Sequence, residues 1–268
     1  IALAIFVAVI AVIVSEKLHR AACALIGAVL LMLIGILEPA EALGFIDFNT
    51  IGVLIGMMMF VAVVKNSGIF EYLAVKAAKI AKGNPWKIMV YFMIITAVLS
   101  AFLDNVTTVL LIGPMTFSIC KTLELNPIPY LMTQIISSNV GGTATLIGDP
   151  PNIMIGSAAE IPFVQFCIYD GPIVVIVMIA SILGFKFLYK KGLTVSPEKM
   201  ELIMQMDEKA EIRDKALFVK SIVMIFLVAL AFILHDAIGL KTSVIALSCA
   251  ALMILIGKQD VEEAVHDV

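Results

Sequence analysis

Charge is scarce in this sequence. Asp, Glu, Lys and Arg together make up 15% of its 268 residues, against about 25% in an average soluble domain. Apolar residues reach 62%, so an ordinary soluble enzyme and a disordered chain are both excluded. The net charge of −3 leaves no basic field for a polyanion, so no nucleic-acid partner is expected. The four cysteines, Cys23, Cys120, Cys167 and Cys249, lie far apart in or beside apolar runs, with no CxxC and no metal-ligand spacing. They read as packing thiols, and no metal site is expected from them. No Gly-Lys-Ser or Gly-Lys-Thr occurs, so direct ATP use is not expected, while a separate ATPase subunit as partner stays open. No cofactor is implied.

Long apolar runs are what the chain has instead. A helix needs about 20 apolar residues to cross a bilayer. Runs at roughly 1–14, 21–37, 48–64, 171–189, 219–236 and 240–257 meet or approach that length. The expected class is an all-α polytopic membrane protein whose first partner is the lipid bilayer. Because Ile1 stands inside an apolar run, the sequence is read as a fragment of a longer membrane protein.

Two regions break the spanning pattern. In 86–120, two apolar arms, 88–103 and 106–120, flank the polar turn Asp104-Asn105. Each arm as a helix reaches only about 22 Å, which predicts a re-entrant hairpin. Such backbone survives at membrane depth only inside protein or beside a wet cavity. In 128–158, a single helix would be about 46 Å long. The stretch Asn139-Val140-Gly141-Gly142-Thr143-Ala144-Thr145-Leu146-Ile147-Gly148-Asp149-Pro150-Pro151-Asn152 interrupts it with three glycines and two prolines. Two half-helices joined by an unwound loop are expected, as in the substrate sites of secondary transporters.

Residues 66–87 are amphipathic, with Lys76, Lys79 and Lys82 every third residue, and fit a helix along the membrane surface. With 65–87 placed in the cytoplasm, 17 of the 18 basic residues fall inside and only Lys241 outside. The outer loops, 38–47 and 159–170, then carry Glu38, Glu41, Asp47, Glu160 and Asp170. The hairpin opens to the cytoplasm, and 191–218 forms a solvated cytoplasmic linker.

Shifting the chain by 222 residues lays Ala24–Ile46 over Ala246–Val268 with nine of 23 positions identical, including Leu33-Ile34-Gly35 with Leu255-Ile256-Gly257 and Glu41-Ala42 with Glu263-Ala264. Five crossings separate the copies, which makes them an inverted repeat. The expected organisation is a first transmembrane repeat over 1–190, the linker 191–218, and the start of a second inverted repeat over 219–268.

Asp104, Asn105, Thr107 and Thr108 bring a carboxylate, an amide and hydroxyls to the hairpin tip, where the following half-helix directs its positive end. Oxygens of this kind suit a proton or small cation, and the amides suit an anion. Asn139, Gly141, Gly142, Thr143, Thr145, Gly148, Asp149 and Asn152 form the partner loop, with the glycines permitting close backbone approach. A sodium ion could bind at Asp104, Asn105 and Gly148. Asp104 and Asp149 also admit the plainer role of helix caps. His235-Asp236 reads as an interfacial pair, His19 and His266 as solvated, and Met57-Met58-Met59 as packing surface.

Leu103-Asp104-Asn105-Val106-Thr107-Thr108, followed by Asn139 to Ile153, resembles the ion transporter superfamily, in its arsenite efflux pump, citrate-transporter-like and melanosomal P-protein branch. The resemblance covers the whole fragment and corresponds to the N-terminal half of such proteins. It implies two inverted repeats, each with a re-entrant hairpin and a discontinuous helix, a homodimer, and an elevator motion of the hairpin-bearing domain. Dicarboxylate carriers bear Ser-Asn-Thr at the hairpin tip. Here Asp104-Asn105-Val106-Thr107 puts an acid in place of Ser, which disfavours a carboxylate substrate and favours a cation, a proton-coupled cycle or a neutral solute such as arsenous acid. The function expected is an ion-coupled secondary transporter of a small inorganic or organic ion of the arsenite or anion type, in a prokaryotic plasma (inner) membrane, with proton or sodium as coupling ion. A sodium/proton antiporter of the same superfamily is the alternative. An ion channel and an intramembrane aspartyl protease are the readings from other classes, the latter lacking the first Gly of Gly-x-Gly-Asp before Asp149.

Overall fold

Side chains that lipid can solvate need not be buried, and much of this molecule's apolar surface lies outward. The computed structural model describes residues 1–189 and 193–258, all of whose regular structure is α-helical. The residues fall into two compact units, Ile1–Phe48 and Asn49–Val268.

In the first unit, α1 (Ala2–Val14) and α2 (Arg20–Leu33) pack on each other. Gly27 makes the approach close, since a Cβ there would lie 2.6 Å from a Val9 methyl. α2 ends at Leu33, short of the run expected to reach 37, because Gly35 turns the chain at φ 75°. A single-turn helix, α3 (Pro39–Gly44), follows, closed by a Glu38–Glu41 capping box.

The second unit opens within α4 (Phe48–Lys65) and continues through α5 (Ile69–Ile80), α6 (Pro85–Ser100), α7 (Asn105–Thr122), α8 (Ile128–Gly142), α9 (Pro150–Ala158), α10 (Phe163–Tyr189), α11 (Pro197–Gln205), α12 (Lys215–Ile238) and α13 (Thr242–Gly257). α4, α10 and α12 are long and apolar enough to cross a membrane. Boundaries follow local chemistry. Asn84 caps α6 by accepting from Lys87 N, with Pro85 at the first helical position, and Asp214 caps α12 by accepting from Ala216 N and Leu217 N. Asn49 caps a distant helix: its Oδ1 accepts from Ser243 N at 3.1 Å at the start of α13. Beside that cap, Gly52 and Gly56 let α4 lie against Ser243 and Ala246.

α6 and α7 form a helical hairpin whose turn, 101–104, ends at Asp104. α8 lies along α6 and α7, and α6 with α8 is the most extensive packing in the unit. Tyr130 OH donates to Pro85 O and Ser100 Oγ to Ser138 O, so α8 runs parallel to α6. Between α8 and α9, residues 143–149 are not helical. At Gly141 a Cβ would collide with the backbone of Ala97, so the helices touch there main chain to main chain.

Three expectations are corrected. α10 begins at Phe163 and runs 27 residues through Asp170, Gly171 and Pro172. The stretch to 170 is therefore not all loop, although Asp-Gly-Pro reads locally as a turn. The apolar face of α5 is covered by protein rather than turned to a lipid surface, with Val75 and Ala78 fully buried. The linker is more than a solvated connector. α11 docks on α5 and α7, and the segment after it clasps α5: Lys79 Nζ donates to Met206 O at 2.9 Å and pairs with Glu208, Arg213 Nη2 pairs with Glu71 at 2.9 Å, and Arg213 N donates to Ser67 O. Lys199 also reaches Glu124. Periodicity cannot show these contacts, because each joins residues more than 70 positions apart. His235 and Asp236 form the expected pair at 3.0 Å, and His235 also stands edge-on to Phe163. Lys190, Lys191, His266 and the Glu263-Ala264 match lie outside the described residues.

Gly141→Ala should lower the thermal midpoint of the solubilised protein, at a cost of about 1–3 kcal/mol for forcing two backbones apart. Gly171→Ala on α10, where a Cβ meets nothing within 4 Å, should leave the midpoint unchanged or raise it. Hydrogen bonding to Lys79 holds the Glu208 carboxyl below its ordinary value. A depressed acid stabilises above its unfolded pKa and loses that contribution as pH falls through the folded value. Hydrogen exchange in 206–214, corrected for intrinsic rates, should therefore quicken as pH drops through the low carboxylate range. In Glu208→Gln it should be faster at neutral pH and lack that pH step.

Candidate functional site

The hairpin tip is built by a cap. Asp104 leaves the turn in extended conformation, and its Oδ1 accepts from Thr107 N at 2.8 Å while Thr108 Oγ1 donates to Asp104 O at 2.9 Å. One carboxylate oxygen thus starts α7; Oδ2 has no hydrogen-bond partner among the described residues. The cap role and an ion-binding role use different oxygens.

The tip meets the end of α8 through a single amide pair, Asn105 Nδ2 donating to Asn139 Oδ1 at 2.8 Å. Asn139 is itself oriented by donating to Ile135 O at 2.9 Å. Beyond it the unwound loop is fastened to the hairpin. Thr145 Oγ1 donates to Ala101 O in the turn and accepts from Gly148 N. Gly148 rests on main chain from both sides: a Cβ there would lie 2.5 Å from Gly142 O and 2.7 Å from Ser100 O. Asn152, in the first turn of α9, donates to Gly142 O at 3.2 Å and Thr145 O at 3.0 Å. Those carbonyls belong to the α8 end and the loop, where a helix end leaves acceptors without intrahelical donors. Asn152 therefore holds both sides of the interruption together.

Asp149 starts α9 without a side-chain cap bond and stays half-buried. Thr145 bonds to Ala101 O and Gly148 packs on Ser100 O, so Asp149 stands on the segment fastened to the turn that ends at Asp104. Two acids and two amides make this a surface that attracts cations and repels free anions. Asp104 also lines a narrow crevice with Ile147 and with Val53, Leu54, Met57, Met58 and Val61 of α4.

The structure thus brings together Asp104, Asn105, Asn139, Gly141, Gly142, Thr145, Gly148 and Asn152, with Thr107 and Thr108 supporting the tip. Thr143 stands apart: it is exposed, donates to its own helix at Val140 O, and lines a second cleft with Asn139 and Val140. The far wall of that cleft is Asp170 with Ile173, Val174 and Val177 of α10. Asp170 is the residue that sequence reasoning misplaced, since an acid within a helix of this length faces the hairpin-bearing bundle rather than an outer loop. The unbroken apolar run on either side of Asp-Gly-Pro is the signal that could have found it. Among the described residues no group of His, Cys, Asp and Glu could hold a metal ion, and the four cysteines are unpaired.

Against known proteins, residues 10–268 match the family model for citrate transporters, CitMHS. The chain is 38% identical over 260 residues to an uncharacterized transporter of Mycobacterium bovis, covering 96% of this chain and 60% of that protein. It is 37% identical over 262 residues to a 46 kDa membrane protein of Mycobacterium leprae, covering 96% of this chain and 61% of that protein. Over 166 residues, 60% of this chain and 20% of the other, it is 42% identical to the human P protein. The chain therefore spans about three fifths of the length of its mycobacterial relatives. With a matched family and an all-helical architecture carrying membrane-length apolar helices, the chain belongs to the citrate transporter family of integral membrane transporters.

Proposed function

We propose that this chain is part of an ion-coupled secondary active transporter, in which Asp104 binds the coupling cation. The observation that carries this reading is the Asn105–Asn139 bond between a carboxylate-bearing tip and an interrupted helix. At membrane depth such a pair of irregular backbones belongs to a solute site. Asp104 Oδ2, the Asn105 amide and backbone at Gly148 supply oxygens for a proton or sodium ion. Binding there neutralises the repulsion between Asp104 and Asp149 and licenses movement of the loaded hairpin bundle by an elevator mechanism. The transported solute is a small ion of the arsenite or anion type, with coupling charge needed before an anion can approach two acids.

The double carboxylate also supports a sodium/proton antiporter, in which cation and proton compete for Asp104. In either case the protein acts as a homodimer in a prokaryotic inner membrane, with 191–218 cytoplasmic. A second repeat is supported by register: α2 begins at Arg20 and α13 at Thr242, the same 222-residue shift that aligns their sequences.

Full-length protein in proteoliposomes, offered arsenite, citrate, sodium and chloride under imposed pH and sodium gradients, tests the reading. Asp104→Asn should insert normally and lose gradient-driven transport about tenfold or more, equivalent to ~1.4 kcal/mol or more of cation binding. Undiminished coupled transport by that variant removes Asp104 from the mechanism, and unitary currents in a planar bilayer would make the protein a channel.

A further inference from the structure

Behind the tip, where apolar packing would be expected, the hairpin and α8 enclose a polar seam. Thr96 and Ser100 of α6, Thr116 of α7, and Gln134, Ser137 and Ser138 of α8 are at most 1% exposed. Part of the seam is internally paired. Gln134 Nε2 donates to Thr116 Oγ1 at 2.7 Å, Thr116 Oγ1 to Ile112 O at 3.1 Å, and Ser100 Oγ to Ser138 O at 2.7 Å. Three oxygens have no partner among the described residues: Thr96 Oγ1, Gln134 Oε1 and Ser137 Oγ.

These three groups lie along one short stretch of the contact between α6 and α8. The contacts between α6 and α8 match Pro85 with Tyr130, Ala97 with Gly141 and Ser100 with Ser138. Thr96 therefore stands beside the turn of α8 that carries Gln134 and Ser137, which at i and i+3 lie on one helix face. A buried polar atom without a partner costs about 1–3 kcal/mol, and lipid offers no donor. The chemistry of the three is complementary to one small molecule. Gln134 Oε1 only accepts, whereas the two hydroxyls both donate and accept. Water donates twice and accepts twice, and a buried water typically makes about three hydrogen bonds. A cation fits less well: the seam has no carboxylate to compensate a charge, and too few free oxygens to replace a hydration shell.

We propose that Thr96, Gln134 and Ser137 form an internal water site inside the hairpin bundle, separate from the solute site at Asp104. The water completes a hydrogen-bonded file from the Gln134–Thr116 pair to Ser100 and Ser138, beside the break in α8–α9. Because water can reverse its donor direction, the file holds the helices together without fixing a single rotamer at the break.

X-ray hydroxyl-radical footprinting of the full-length protein in H₂¹⁸O tests this. Radicals made from a bound water label neighbouring side chains that bulk solvent never reaches. Met93, fully buried one turn before Thr96, is the reporter. Met89, equally buried but two turns from Thr96, is the control. The expected result is ¹⁸O incorporation at Met93 above that at Met89, falling to the Met89 level in Gln134→Leu/Ser137→Ala. Ser137→Ala alone, a milder change, should give an intermediate signal and serves where the double variant does not fold. Incorporation no higher than at Met89 in the unaltered protein overturns the proposal, as does labelling that both variants leave unchanged. Labelling suppressed when sodium replaces choline overturns it in favour of a cation.

Discussion

At two places the backbone of the interrupted helix rests on that of the hairpin with no side chain between: Gly141 on Ala97, and Gly148 on Ser100. The rest of the site depends on this contact. It brings the end of α8 near enough for Asn139 to receive the Asn105 amide, and for Thr145 to reach the carbonyl of Ala101. A Cβ at either glycine would collide with the main chain of the hairpin and force the loop away from the tip. Small residues do here what they do wherever helices approach without a hydrophobic driving force, by maximising dispersion and hydrogen bonding between main chains.

The same contact explains how an interruption can exist in an apolar setting. Unwinding strands carbonyls and amides that lipid cannot satisfy. The protein answers with side chains supplied from nearby: Asn152 for Gly142 O and Thr145 O, Thr145 for Ala101 O and Gly148 N, Ser100 for Ser138 O. Membership of the citrate transporter family agrees with this architecture. The tip and the loop each add a carboxylate to this interruption, Asp104 and Asp149.

Much of this could be read from residues. The turn at Asp104-Asn105 and the break between Gly142 and Pro150 were legible because proline, glycine and capping side chains act within a few positions of themselves. The helix starts at Asn84-Pro85 and Asp149-Pro150 belong to the same class. What escaped was set by distant partners. Asp170-Gly171-Pro172 looks like a turn, but α10 carries helix through it, with Asp170 facing α8 across a cleft. The charged stretch after Pro197 looks solvated, yet Lys79, Glu71 and Ser67 wait for it more than a hundred residues upstream. The seam at Gln134 was hidden for a different reason: a helix face of Thr, Gln and Ser reads as solvent-facing until the neighbouring helices are in place.

Arg213 holds Ser67 and Glu71, and the very next residue, Asp214, caps α12. No spare chain separates the clasp from the helix it precedes, and Tyr72 of α5 already touches Phe218 edge-on at 5.2 Å. The clasp is thus a short crank rather than a leash. If the hairpin bundle travels as a body, α5 drags the foot of α12 with it, and α12 inherits that displacement through a single peptide unit.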